Sequence, residues 1–230
     1  MIDETILWRE KQIQKETMFM RASKQMQRKV NSYIPEKAHE AITVSLKSLI
    51  EATLEGSRFI NKLTPMEEKF TFEEKELAFE ALVKSYQRTA TIEGVTTGAG
   101  GLLLGLADLP LFLSIKMKML FDSAQIYGLN VKAYEERVYL LTVFQFAFSS
   151  HPYRKELINR MENWDEYKRK VNEVNWRTLQ QEYRDFIDLA KMLQIMPIIG
   201  AAVGGVANHR ITKHLGEYTK YSYRLRFLDL

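Results

Sequence analysis

Two stretches of the chain set glycine at helical spacing, and nothing else in the sequence restricts the fold as tightly. Wound as a helix, residues 94–108 bring Gly94, Gly98, Gly101, Gly105 and Asp108 into one narrow wedge. Residues 197–208 repeat the pattern, with Pro197, Gly200, Gly204 and Asn208 on one face, flanked by Ala201 and Gly205. Glycine inside a helix costs about 1 kcal/mol relative to alanine. A stripe of it needs a compensating gain, and close approach of two backbones is the usual one. The expected fold is therefore all-α, a multi-helix bundle with two Gly-rich central helices. Each stripe ends in a short polar residue. If the C-terminal ends of the two helices converge, Asp108 and Asn208 meet, and the amide satisfies a carboxylate that is costly to bury alone. Taken alone, Asp108 is a cap for the helix that starts at Leu109.

The rest of the chain reads as helices with clear punctuation. Residues 4–32 lack Pro and Gly, and Ile6, Ile13 and Met20 recur at heptad spacing. Residues 1–35 are accordingly read as an N-terminal amphipathic helix, peripheral to the core of a single domain over 1–230. Pro35 starts a second helix with an apolar face of Leu46, Leu49, Ile50, Thr53 and Leu54. Thr71-Phe72-Glu73-Glu74 is a capping box that opens a helix running towards Glu93. A helix from Leu109 closes at Gly128, which suits a left-handed C-terminal cap. The run "YLLTVFQFAF" reads as a buried helix, with a strand as the alternative because aromatic and β-branched residues cluster there. A charged surface helix spans 153–174, and Asn175 caps another that reaches Ile195. Gly216 is expected to part the second Gly-rich helix from the aromatic, basic tail "EYTKYSYRLRFLDL".

Familiar catalytic and cofactor motifs fail residue by residue. A dinucleotide fingerprint starting at Gly98 needs Gly or Ala where Leu103 stands, and a preceding strand. Gly100 and Gly105 have the spacing of a phosphate loop, but Leu106 and Ala107 replace its Lys and Ser/Thr. His39-Glu40 begins a zinc-protease pattern, but Thr43 occupies the place of the second histidine. His209 and His214 are five apart and point to different helix faces, while Glu217 could share a face with His214. With no cysteine, thiolate ligands and disulfides are excluded. No metal site, cofactor or catalytic residue is expected. The candidate binding residues are Asp108, Asn208, His209 and Arg210, at the end of the stripes.

Charge is unevenly placed. Residues 1–37 carry eight Lys/Arg against five Asp/Glu, and residues 208–230 carry five against two, which leaves the interior slightly acidic. Basic ends favour an anionic membrane surface or an acidic partner. From Gly94 to Ile115 the only charge is Asp108. That length nearly spans a bilayer, but the central Asp and Pro110 favour peripheral insertion or a re-entrant hairpin over a span. Met1 to Lys15 is charged, so no secretory signal is expected. "YSYRLRF" could stack single-stranded nucleic acid, but it equally suits a docked helix, and no nucleic-acid partner is expected.

Two segments resemble the EcsC family of bacterial proteins. They are "GGLLLGLADLPLFLSIKMKMLFDSAQIYGL" and "MPIIGAAVGGVANHRITKHLGEYTKYSYRLRFL". The likeness rests on the Gly run, Ala107-Asp108-Leu109-Pro110, Tyr127-Gly128, then Pro197, Gly200, Asn208 and Arg224-Leu225-Arg226-Phe227. It covers about half the chain, and residues 1–70 carry little of it. The family takes its name from a gene that accompanies an ABC-type exporter. The resemblance supplies no catalytic residues. It implies a bacterial cytoplasmic or membrane-associated protein, an accessory to an ABC-type transporter. Taken with the Gly-rich helices and basic ends, the expected protein is a non-enzymatic accessory, cytoplasmic and peripheral to the membrane. The alternative is an enzyme or binding protein for a lipid or other apolar ligand, with a buried polar site near Asp108 and Asn208.

Overall fold

A computed structural model describes residues 1–14, 36–56, 58–59, 65–97, 109–149, 151–171 and 201–228. Among them the chain is all-α. The helices are α1 (Ile2–Ile13), α2 (Glu36–Glu55), α3 (Phe72–Thr97), α4 (Leu109–Ile126), α5 (Tyr134–Phe148), α6 (His151–Glu162), α7 (Trp164–Val171) and α8 (Ala201–Phe227). Gly94 lies within α3 and Gly204 within α8. Gly98, Gly101, Gly105, Asp108 and Gly200 lie outside the described residues, as does the helix expected from Asn175 to Ile195.

Local signals placed the helix ends well. The Thr71 backbone N–H donates to Glu74 Oε2 at 2.8 Å, and the Glu74 N–H donates to Thr71 Oγ1 at 3.2 Å. Gly128 adopts φ +86°, where a side chain is disfavoured. The N–H groups of Gly128 and Leu129 donate back to the carbonyls of Gln125 and Ala124. This satisfies two carbonyls left over at the end of α4. "YLLTVFQFAF" is helical, and residues 138–148 are buried throughout. The charged stretch after Pro152 is two helices, α6 and α7, joined at Asn163. It is less superficial than its charge suggests, because Leu157, Ile158, Met161 and Trp164 are buried.

The architecture is organised around α8. This helix is 27 residues long and therefore about 40 Å. It runs antiparallel to α3: Arg224 meets Glu76, Lys220 meets Glu80, and Gly216 meets Val83. It is antiparallel to α5 as well, where Tyr139 donates its hydroxyl to the Ser222 carbonyl and His214 Nε2 bonds the Ala147 carbonyl, both at 2.7 Å. On a third side α1 lays Trp8 flat on Tyr221, with ring centroids 4.2 Å apart. The heptad residue Ile6 faces solvent, and Thr5, Trp8 and Gln12 form the inner face of α1.

A helix surrounded on so many sides must hide its polar groups. Thr212, Thr219 and Ser222 are buried, and each hydroxyl donates to the carbonyl four residues back. Gly216 corrects the sequence reading. It does not end a helix but sits inside α8, where a Cβ would lie 2.7 Å from Val83 Cγ1. Its role is to admit the side chain of α3.

Candidate functional site

The directions of three helices define one end of the bundle. α4 runs in the same sense as α8: Lys116 bonds Asn208, and further along Tyr127 stacks on Tyr223 at 4.1 Å. α3 runs the opposite way. The last residue of α3, Thr97, and the first residues of α4 and α8, Leu109 and Ala201, therefore lie towards the same end. The chain leaves for residues 98–108, and returns from 98–108 and from 172–200, at this end.

Beneath that end lies a buried polar pair. The Lys116 ammonium donates to Asn208 Oδ1 at 2.5 Å and sits 4.6 Å from the centroid of the Phe112 ring. Lys116 is 1% exposed and Asn208 8%. Both lie seven residues into their helices, about 10 Å along the axis. A buried ammonium is costly unless hydrogen bonds or charges compensate it, and the amide oxygen and the ring face both contribute here. Chemically, the pair sets a positive charge and a side-chain amide within an apolar wall. That suits an anionic or carbonyl oxygen better than a metal. No cluster of three or more His, Cys, Asp or Glu able to hold a metal occurs among the described residues.

Of the residues singled out from the sequence, Asn208 alone takes part in this pair. His209 is half-buried and Arg210 exposed, because successive residues turn by 100° and Asn208 faces α4. Asp108 lies outside the described residues. His214 and Glu217 do not pair: His214 bonds the Ala147 carbonyl, and Glu217 accepts from the Trp8 indole N–H at 3.2 Å. Lys116 escaped the sequence reading. The available signal was a lysine set among Phe112, Leu113, Met117 and Leu120, on the apolar side of α4.

Asn208→Ala removes an acceptor from a buried charge. It is expected to cost about 1.5–3 kcal/mol in urea unfolding, the range for hydrogen bonds to charged groups. Asn208→Asp at neutral pH should cost less, since it keeps an acceptor and adds a countercharge.

The basic tail is spent within the fold. Arg224 donates to both oxygens of Glu76 at 2.6 and 2.7 Å and to Glu4 at 2.7 Å. Tyr221 also donates to Glu4, at 2.8 Å. The hydrogen bonds from Arg224 and Tyr221 hold the Glu4 carboxyl below its ordinary pKa. Burial, and then the bond to Glu4, push the Tyr221 hydroxyl up to about 12. Arg226 grips Glu136 through two bonds of 2.7 Å, with its guanidinium over the Tyr139 ring. Lys220 donates to Glu80 at 2.8 Å. Of the five cations in residues 208–230, Arg210 and Lys213 are left facing solvent. "YSYRLRF" is thus a core segment, with Tyr221, Tyr223, Arg224 and Leu225 all buried.

These features define an all-α protein built on one enclosed helix, with a buried Lys–Asn pair below the end where its apolar Gly-rich segments attach. No helix among the described residues is long and apolar enough to cross a membrane. The EcsC protein family model matches residues 1–228, and the chain belongs to that family. The match extends well beyond the Gly-rich motifs, into the N-terminal region. Protein EcsC of Bacillus subtilis is 46% identical over 228 residues, covering 99% of this chain and 95% of that protein. The uncharacterized protein YdbA of Bacillus subtilis is 29% identical over 151 residues, covering 64% of this chain and 56% of its own length. No solved structure matches.

Proposed function

We propose that the protein is a non-enzymatic accessory that works peripherally at the cytoplasmic face of a bacterial membrane, beside an ABC-type exporter. One observation carries the reading: both apolar Gly-rich segments attach at one end of the bundle. A single end that gathers apolar sequence suits a surface approached from one side. The exporter enters through the family resemblance. Wild-type protein is expected to float with phosphatidylglycerol-rich vesicles and to be released by salt, since exposed charges are screened beyond ~8 Å at physiological ionic strength. Protein that stays at the bottom of the gradient with every vesicle overturns the membrane reading.

A second reading draws support from the Lys116–Asn208 pair. A buried ammonium and amide suit a protein that holds the head of a lipid or other apolar ligand. An acyl chain found by mass spectrometry in gently purified protein, and absent from Lys116→Met, would favour it.

A further inference from the structure

We infer that the membrane-facing surface is a cationic strip on the α3–α8 pair, formed by Lys84, Arg88, Arg210 and Lys213. The inference rests on the membrane reading above and names the face that carries it out. The register of the two helices is set by Glu76–Arg224, Glu80–Lys220 and Val83–Gly216. Continued by one or two turns, it sets Lys84 at the level of Gly216 and Arg88 at the level of Thr212. Lys213 lies between those levels, and Arg210 follows one turn on. Angular position puts the four together on one side. Around α3, Lys84 and Arg88 lie on the Glu80 side of the contact line. Around α8, Lys213 and Arg210 lie on the Lys220 side. The Lys220–Glu80 bond makes these the same side.

All four side chains are exposed, and none forms an ion pair among the described residues. Among the described residues, the carboxylates on this side are Glu80, engaged by Lys220 and within the field of Lys84, and Glu217, which accepts from Trp8. The strip is therefore net cationic at a place where neighbouring arginines have been neutralised. Its position is also specific. Arg88 and Arg210 each stand nine residues from the end of their helix at Thr97 or Ala201, about 13 Å from the end where the apolar segments attach. Lys84 and Lys213 stand 13 and 12 residues from those ends, about 20 and 18 Å, so an anionic lipid surface lying along this side of the pair, beside that end, would bring its phosphates alongside the four cations. Each such cation near an anionic surface strengthens binding by about fivefold. On α7, by contrast, Lys168 is neutralised by Asp165 and Lys170 by Glu166.

The test is flotation of the full chain with phosphatidylglycerol-rich and with pure phosphatidylcholine vesicles. Lys84→Gln, Arg88→Gln, Arg210→Gln and Lys213→Gln are combined in one variant. A control variant carries Lys132→Gln, Lys155→Gln, Arg169→Gln and Lys170→Gln at exposed positions elsewhere. Wild type and control should bind the anionic vesicles, and the strip variant should lose roughly a hundredfold or more in partitioning. If the fourfold variant misfolds by circular dichroism, the Lys84/Arg88 and Arg210/Lys213 pairs are tested separately, each with an expected loss of about tenfold or more. Equal binding by wild type and strip variant overturns the strip while leaving the membrane reading intact. Equal binding to phosphatidylcholine removes its electrostatic basis. A wild type that binds no vesicle overturns the membrane reading itself.

Discussion

Arg224→Met is expected to cost about 3–5 kcal/mol in urea unfolding, the range for stripping one partner from a buried ion pair. The guanidinium is 4% exposed and joins three helices: two bonds reach Glu76 on α3 and a third reaches Glu4 on α1. Burial alone would make its charge unfavourable, and the bonds from Glu76 and Glu4 outweigh that and raise its pKa. Removing the arginine leaves the Glu76 carboxylate, 10% exposed, without its bidentate partner. Lys220, 3.7 Å from Glu76, recovers only part of the loss. The double variant Arg224→Met/Glu76→Met tests the mechanism. If the cost is an orphaned charge, the double variant should be more stable than Arg224→Met alone. A double variant as unstable as the sum of the two single changes would show that the cost lies in lost packing.

The second large effect is expected at Gly216. Gly216→Val places carbon within 2.7–3.1 Å of both methyl groups of Val83 before its own γ carbons are counted. A β-branched neighbour has little rotamer freedom with which to yield, so the helices must separate. Overpacking of this kind costs about 1–3 kcal/mol, against a few tenths regained from helix propensity. Val83→Ala opens the space. The Gly216→Val/Val83→Ala double variant should be more stable than Gly216→Val, with a coupling energy of about 0.5–3 kcal/mol. Additive changes in a thermal or urea double-mutant cycle would show that the Val83 contact is not what fixes glycine at this position.

The signals legible in the sequence were local. The Thr71–Glu74 box and the Gly128 cap are each closed within a few residues, so the residues that create them stand side by side in the chain. The helical character of "YLLTVFQFAF" was legible too, although its aromatic content also suited a strand. Gly216 was misread because a helix end and a helix crossing both ask for a missing Cβ. What separates them is Val83, on another helix. Lys116 was passed over because burial of a lysine depends on Asn208, 92 residues away. Arg224 and Arg226 looked like surface charge because Glu76 and Glu136, which absorb them, lie 148 and 90 residues earlier. Charge counted along a chain overstates the charge a folded protein presents.

The enclosed position of α8 also bears on how the chain comes to be folded. α8 is synthesised after every helix it packs against, and its bonds reach back as far as Glu4, 220 residues earlier. Helices α1 and α3 to α6 must therefore emerge from the ribosome with their inner faces uncovered, among them Trp8, Phe79 and Tyr139. Nothing that precedes α8 can substitute for it, because α1, α3 and α5 approach different sides of this one helix. Contacts so distant in sequence slow folding, and apolar surface exposed in the interval invites aggregation. Assembly of the bundle is thus concentrated in one late event, the docking of α8.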